Sequence, residues 1–475
     1  MPDNLMNRFP CTLNSLEAMK VPLGTAAQML DYGIRSLSLG FDLNNNFQNM
    51  GFALARRWCR LLDASLPKAF NHLVTLQHRA HKNFSAAFEN LLLSPLKTMR
   101  RERQGELEFI GLFTEPLPVQ DWAEAYDDTR ILLDLPSLRV IDISKDIQHD
   151  LHNYTVVFAP RAGHHSNIAE RVALYLRDQG LTRMALVEQK CADDIPLYVN
   201  QKRHWESFAG QIDQYKNVLA ALTQRTGHPP HLIAICQPGP LLMSTLILNP
   251  QLAKTFGSAG SPMHTEAEKG VLTDFARLMG EDFIDALMRF CGHEIGAHRP
   301  GHGRQCFDGA LQVLGFYFLG MDQHARNFKH LLQDLKQGNT ESAERQMAFY
   351  RWYHTVHHFP AGFIKDTYKK IFVKNDLIRG KLSVGNKNIG IKDYPGHVPI
   401  WALGGRRDNI APPLQATAHL ELIDSVKAGD KLSLTCNAGH MGLFRSEKIL
   451  KSVYARIARF ILDRSDRGMP AKKGS

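Results

Sequence analysis

The 475-residue chain is long enough for one large domain with an added module, and its 44% apolar and 22% charged residues are ordinary for a globular protein. No apolar run approaches the ~20 residues of a bilayer-crossing helix, and residues 1–10 lack the basic start and apolar centre of a signal peptide. Seven scattered cysteines without a C-x-x-C pair argue against a disulfide framework and for a reducing, cytoplasmic setting; the net charge of +10 comes without any nucleic-acid-binding signature, so no nucleic-acid partner is expected.

Residues 1–105 read as a helical N-terminal region. Between Phe52 and Arg103 there is no glycine, and apolar residues recur at three- and four-residue spacing: Leu54, Trp58 and Leu61-Leu62, then Leu73, Leu76, Phe84, Phe88 and Leu91-Leu92. Two or three amphipathic helices are predicted, broken near Pro67 and Pro95. They serve either to pack against the rest of the chain or a second copy of it, or to dock on a hydrophobic particle.

Residues 106–262 form the first part of an α/β core. Short antiparallel strands are predicted at 107–113 and 138–143. Strands from Tyr154 and Thr182 then alternate with helices over 167–179 and 206–226, which implies a mostly parallel sheet with right-handed crossovers. The run His231-Leu-Ile-Ala-Ile ends in Cys236, followed by Gln-Pro-Gly-Pro and a helical segment, 241–248. Strand, sharp turn bearing a nucleophile, then helix is the layout of a nucleophile elbow. Ala234 and Pro238 stand where the usual G-x-S-x-G has glycine, and a cysteine buried at a strand end is the alternative reading.

Residues 263–394 lose the alternation. Helices predicted at 275–290, 310–336, 341–354 and 361–373 make a helical cap inserted before the chain returns to the core at 395–465; residues 466–475 read as a disordered tail. In the returning part, Asp408 ends a strand and Gly turn. His440 lies in the loop after the strand Lys431-Leu-Ser-Leu-Thr-Cys. A thiol needs a base, and an imidazole needs a carboxylate to set its tautomer, so nucleophile, acid and histidine at three strand ends suggest a triad in α/β-hydrolase order. The Cys291–Cys306 stretch, with His293, His298 and His302, lacks paired metal-ligand spacing and reads as a Gly-rich loop, so no metal is expected. His354, His357 and His358 are read together at one helix end.

With these residues in view, roughly 156–461 resembles the intracellular poly(3-hydroxybutyrate) depolymerases. The matching pieces are Val156-Val-Phe-Ala-Pro-Arg-Ala-Gly-His164, Asp194-Ile-Pro-Leu197, Ile235-Cys-Gln-Pro238, Phe316-Tyr-Phe-Leu-Gly-Met321, Ala348-Phe-Tyr350, Asp408-Asn-Ile410 and Gly439-His440-Met-Gly442. The resemblance implies an α/β-hydrolase with Cys236 as nucleophile, Asp408 as acid and His440 as base. It implies oxyanion-hole amides at Gln237 and at Gly163 or His164. Hydrolysis of poly(3-hydroxybutyrate) or a related short-chain polyester on a cytoplasmic polyhydroxyalkanoate granule would follow, with no cofactor and with coenzyme A open as an alternative acyl acceptor. Ser261-Pro-Met-His264, Gly404-Gly-Arg-Arg and Met441 depart from the family's pattern, which bears on substrate detail. The C-terminal pieces also look like polyhydroxyalkanoate synthases, but those follow the cysteine with a Gly-containing box rather than Gln-Pro. A granule-associated binding protein with an idle triad is the reading from another class.

Overall fold

The computed structural model describes residues 3–4, 10–61, 67–118, 121–145 and 150–467, without the side chains of 3–4, 10, 40, 43–49, 51–61 and 67–74. Its chain divides into two compact units: one of residues 1–5, 118–320 and 355–475, the other of 6–117 and 321–354.

The first unit is built on eight strands: β1 (Ile131–Asp134), β2 (Leu138–Asp142), β3 (Thr155–Phe158), β4 (Met184–Gln189), β5 (His231–Ile235), β6 (Thr255–Ala259), β7 (Ile400–Gly405) and β8 (Lys431–Cys436). Their order across the sheet is β1-β2-β4-β3-β5-β6-β7-β8, with β2 antiparallel to both its neighbours and every pair from β4 to β8 parallel. This is the α/β-hydrolase order, with the sheet reversing direction of travel around β3, so the expected fold class holds.

Both faces of the sheet are covered, and the strands show why. Val156, Phe158, Leu232 and Ala234 lie in one apolar cluster, while the alternate residues Val157, Ala159, Ile233 and Ile235 lie in another. Successive side chains point to opposite faces, so continuous apolar runs suit a sheet buried on both sides. Helix α1 (Asn167–Asp178) presents Ala169, Val172, Ala173 and Leu176 to one face. Helix α2 (Phe208–Thr226) presents Ile212, Tyr215, Val218, Leu219 and Leu222 to the other. Ser207 caps α2, its Oγ accepting from the Gly210 amide at 3.0 Å, and Gly227 ends it in the left-handed region. Helix α3 (Pro238–Leu248), buried nearly all round, follows β5 directly.

The second unit is helical, with helices Pro10–Leu61, Pro67–Phe88, Ser94–Thr114, Met321–Gln337 and Thr340–His354. The predicted strand at 107–113 is instead the last two turns of the third of these. Phe109 and Phe113, one turn apart, meet ring to ring at 5.5 Å, and both contact Phe328; that i,i+4 pairing exists only on a helix. Pro67 does begin a helix, but near Pro95 the chain stays helical through a π-turn, Glu89–Leu93, which buries Leu93 and leaves Leu91 and Leu92 exposed. The expected stripe at Leu54, Trp58, Leu61, Leu62 and Leu73 lies outside the described side chains.

The insertion between β6 and β7 is mainly helical, as predicted, with two adjustments. Gly280 at φ 73° splits the first predicted helix into Val271–Met279 and Asp282–Cys291, and the second breaks at Gly320. Short strands Gly292–Glu294, Gln305–Phe307 and Phe359–Pro360 also pair within it. At the other end of the chain, Asp466, expected in the disordered tail, is held by Lys254 at 2.6 Å and by the Asn153 and His228 side chains. Residues 468–475 lie outside the described residues. No helix among the described residues is long and apolar enough to cross a membrane.

Gly257 on β6 pairs directly with Trp401 on β7, and the fully buried indole lies across it; a Cβ there would fall 1.7 Å from Trp401 Cε2. Gly257→Ala must displace a ring that has nowhere to go. We expect a destabilisation at or above the roughly 1–3 kcal/mol typical of overpacked cores, read as a lower urea midpoint at unchanged slope. An unchanged midpoint would show that the indole moves freely.

Candidate active site

Cys236 ends β5 with its backbone at φ 61°, one of four described non-glycine residues with positive φ. That conformation is disfavoured for an L residue and is the mark of a nucleophile elbow. Two hydrogen bonds brace it: Cys236 N donates to Ala259 O at 2.8 Å, and Gly239 N to Cys236 O at 3.3 Å. The crowded position of this elbow is Gly239 rather than the usual flanking sites, since a Cβ on Gly239 would come within 2.6 Å of the Ser261 Cβ. Ala234 and Pro238 are tolerated because the close approach has moved one residue along.

Asp408 follows the Gly-Gly end of β7. Its Oδ1 accepts from the amides of Ile410 and Ala411 at 2.9 and 3.0 Å, and its Oδ2 lies 2.7 Å from His440 Nδ1. The first bonds fix the carboxylate and the last fixes the imidazole tautomer, with Nδ1 as donor. His440 opens the short helix α4 (His440–Arg445), and its ring edge rests on Phe444 at 5.4 Å. The Cys236 sulfur is near enough to the ring to bear on its protonation. Burial works against a charged imidazole here. The Asp408 carboxylate and the Cys236 sulfur outweigh it and lift the His440 pKa well above the ordinary 6.5. Cys236, His440 and Asp408 are therefore brought together from the ends of β5, β8 and β7.

The three candidate oxyanion positions fall on two segments. Gln237 is the turn residue between Cys236 and α3. Gly163 and His164 lie in the loop after β3, where Gly163 O accepts from His357 N at 2.9 Å and the buried His164 ring lies 6.3 Å from Phe316. The segments are joined by one bond, from Arg161 N to Gln237 Oε1, at 3.3 Å.

Other histidines take roles the sequence reading did not give them. His354 ends its helix, but His357 and His358 lie beyond it, so the shared helix-end reading is corrected. The chain turns into the short strands Thr355–Val356 and Phe359–Pro360 instead. Burial, reinforced by His165, His164, His358 and Arg161, pushes His357 down to about 3 and keeps it neutral. In the Cys291–Cys306 stretch, His293 and Cys306 face each other across a strand pair at 3.2 Å. Among the described residues no three His, Cys, Asp or Glu side chains are grouped so as to hold a metal ion. The buried partners of Arg161 had no signal in the sequence, because they come from segments up to 45 residues away.

Residues 260–465 match a family model described as PHB de-polymerase C-terminus, a span that holds Asp408 and His440 and stops short of Cys236. No curated protein matches the chain. Among solved structures it is similar to Paleococcus ferrophilus monoacylglycerol lipase, at 13% identity and a TM-score of 0.40, over 69% of this chain and all of that one. It is also similar to a soluble variant of monoglyceride lipase from Saccharomyces cerevisiae, at 10% identity and a TM-score of 0.46, over 74% of this chain and 99% of that one. The match over residues 260–465, together with the hydrolase strand order described above, supports an ester hydrolase similar in its C-terminal part to the PHB depolymerases.

Proposed function

We propose that the chain hydrolyses poly(3-hydroxybutyrate) or a related short-chain polyhydroxyalkanoate through an acyl-enzyme on Cys236. The observation that carries this reading is the convergence of the triad, with His440 Nδ1 2.7 Å from Asp408 Oδ2 and the thiol beside the same ring. His440 takes the Cys236 proton, and the thiolate attacks an ester carbonyl carbon. The carbonyl electrons move to oxygen, where the amides of Gln237 and of Gly163 or His164 hold the oxyanion. Collapse breaks the ester C–O bond, and the leaving 3-hydroxyacyl alkoxide takes the proton from His440. Water, deprotonated in turn by His440, attacks the thioester, releases the acid and restores the thiol. Coenzyme A in place of water gives a thioester product by the same steps.

A synthase would run this acyl-enzyme in the polymerising direction. The Gln237-Pro238 pair after the nucleophile and the depolymerase family match favour degradation. Attachment to a polymer granule is supported by the apolar side chains exposed on the N-terminal helices, Val21, Met29, Tyr32, Leu39 and Phe84.

Cys236→Ala is expected to abolish release of 3-hydroxy acids from amorphous polymer granules, with or without coenzyme A, while leaving the unfolding midpoint near the parent's. Cys236→Ser keeps a trace of activity, since a hydroxyl is a poorer nucleophile beside a base set for a thiol. Full turnover by the alanine variant would overturn the mechanism.

Asp408→Asn keeps the shape and removes the charge that orients the imidazole. The chemical rate should fall by orders of magnitude, towards the roughly 10⁴-fold cost of the same change in serine triads. Stability gives a second readout. A histidine whose native pKa is raised stabilises the fold fully below its unfolded value of 6.5, and that contribution fades as pH climbs through the higher native value. The parent should therefore lose stability above pH 6.5 more steeply than Asp408→Asn, as measured by urea midpoints across that range. Parallel curves would remove the ion pair from the argument.

A further inference from the structure

We propose that the Gln237 side chain and the buried Arg161–Glu206 pair act together as a positioning device, fixing the loop after β3 against the nucleophile elbow so that the loop's amide meets the oxyanion. The inference rests on the reading of Cys236 as nucleophile, given above.

Gln237 is half-buried, and among the described residues its side-chain amide is hydrogen-bonded at one end. Its oxygen accepts from Arg161 N, and because a backbone N–H can only donate, that contact fixes which end of the amide faces the loop. Its nitrogen is buried without a hydrogen-bond partner. Leaving a buried donor unpaired costs about 1–3 kcal/mol. A methionine would fill the same space without that cost, so the glutamine's contribution lies in its oxygen, whose hydrogen bond is to the loop.

Arg161 holds the loop from the opposite side. Its guanidinium donates to Glu206 Oε2 at 3.1 Å, to Ser137 O at 3.3 Å and to Gln189 Oε1 at 3.3 Å, and lies over the Phe363 ring at 5.0 Å. Its side chain is 4% exposed and that of Glu206 1%. Burial pushes the Glu206 carboxyl up, but His204 and Arg161 outweigh it and hold it down at about 2, so the pair stays charged. Gln214 Nε2 donates to the other Glu206 oxygen at 3.0 Å. A surface ion pair could shift by an ångström at little cost. This one cannot, because each move breaks a desolvated charge contact. Arg161 thus has its side chain locked into the sheet's flank and its amide locked to the elbow, and the candidate donors Gly163 and His164 follow two and three residues later. Oxyanion donors act only when preset at the place where charge develops.

The test uses full-length protein and a p-nitrophenyl short-chain ester. Gln237→Met, Arg161→Lys and the double variant are compared for kcat, for KM and for the rate of Cys236 alkylation by iodoacetamide. Loss of the oxygen should lower kcat about 10- to 100-fold, below the roughly 10²–10³ of removing an oxyanion donor outright. KM should stay within about twofold, and alkylation should be unchanged because the elbow itself is intact. The double variant should lose no more than the worse single one, since both act through one loop. An unchanged kcat in Gln237→Met, alkylation falling in step with kcat, or multiplicative losses would each overturn the proposal. Should Arg161→Lys not fold, Gln237→Met decides alone. Ester turnover that survives in Cys236→Ala would instead overturn the underlying mechanism, which separates the two failures.

Discussion

At Cys236 the chain leaves a fully buried strand and turns at φ 61° into a helix buried over all but its last two residues. A left-handed L residue costs about 1–3 kcal/mol and persists only where its surroundings over-determine it. Here they do. The Cys236 amide is claimed by Ala259 on the neighbouring strand, Gly239 sits against Ser261, and α3 anchors the far side with Leu241, Leu242, Met243 and Leu246 in the core. The thiol is lifted above the sheet's carboxyl edge because the strand below and the helix behind are both immobile. Everything else in the site is placed relative to that edge.

The same low-dielectric surroundings sort the site's titratable groups into two kinds. Those that must be charged have a partner within hydrogen-bonding distance: His440 has Asp408, and Arg161 has Glu206. Those without a carboxylate against the ring stay neutral. His231, at the other end of β5, is pushed down to about 3 by burial, with Lys254 adding to the effect, and bonds only the hydroxyls of Thr255 and Ser465. His357 follows the same logic, with burial as the main cause and Arg161 nearby. Burial alone therefore does not decide whether a histidine is a base or a filler; the carboxylate beside it does.

Much of this was legible in the sequence, for a physical reason. Buried parallel strands are written as short apolar runs, and candidate site residues sit where the runs stop, so Cys236, Asp408 and His440 stand out locally. The strand order is that of the expected α/β-hydrolase fold. What failed were elements whose character depends on distant partners. Residues 107–113 look like a strand because Gly111 and alternating apolar residues mimic one, yet Phe328, more than 200 residues on, makes the helical face the buried one. Gln237 is legible as a turn residue, but nothing nearby says that its oxygen reaches Arg161. The Arg161–Glu206 pair, 45 residues apart, is invisible to any local pattern.

The family match holds Asp408 and His440 but stops short of Cys236. That boundary falls just after β6, the strand next to the elbow strand. The sheet explains how the two halves nonetheless make one site. β5 and β6 pair along five residues, and β6 in turn pairs with β7, so the end of β5 is fixed relative to the ends of β7 and β8 by continuous parallel register. The insertion between β6 and β7 can vary in length and content without disturbing that register, because its two ends are tied to adjacent strands. On the proposed reading Asp408 and His440 constrain where a nucleophile would stand, and among the described residues the thiol at that place is Cys236: Cys436, another cysteine at a strand end, is buried beside Tyr454 and has its pKa raised by that burial. An imidazole held between a fixed carboxylate and one accessible sulfur, with its charge favoured on both sides, suits proton transfer from thiol to ring and back.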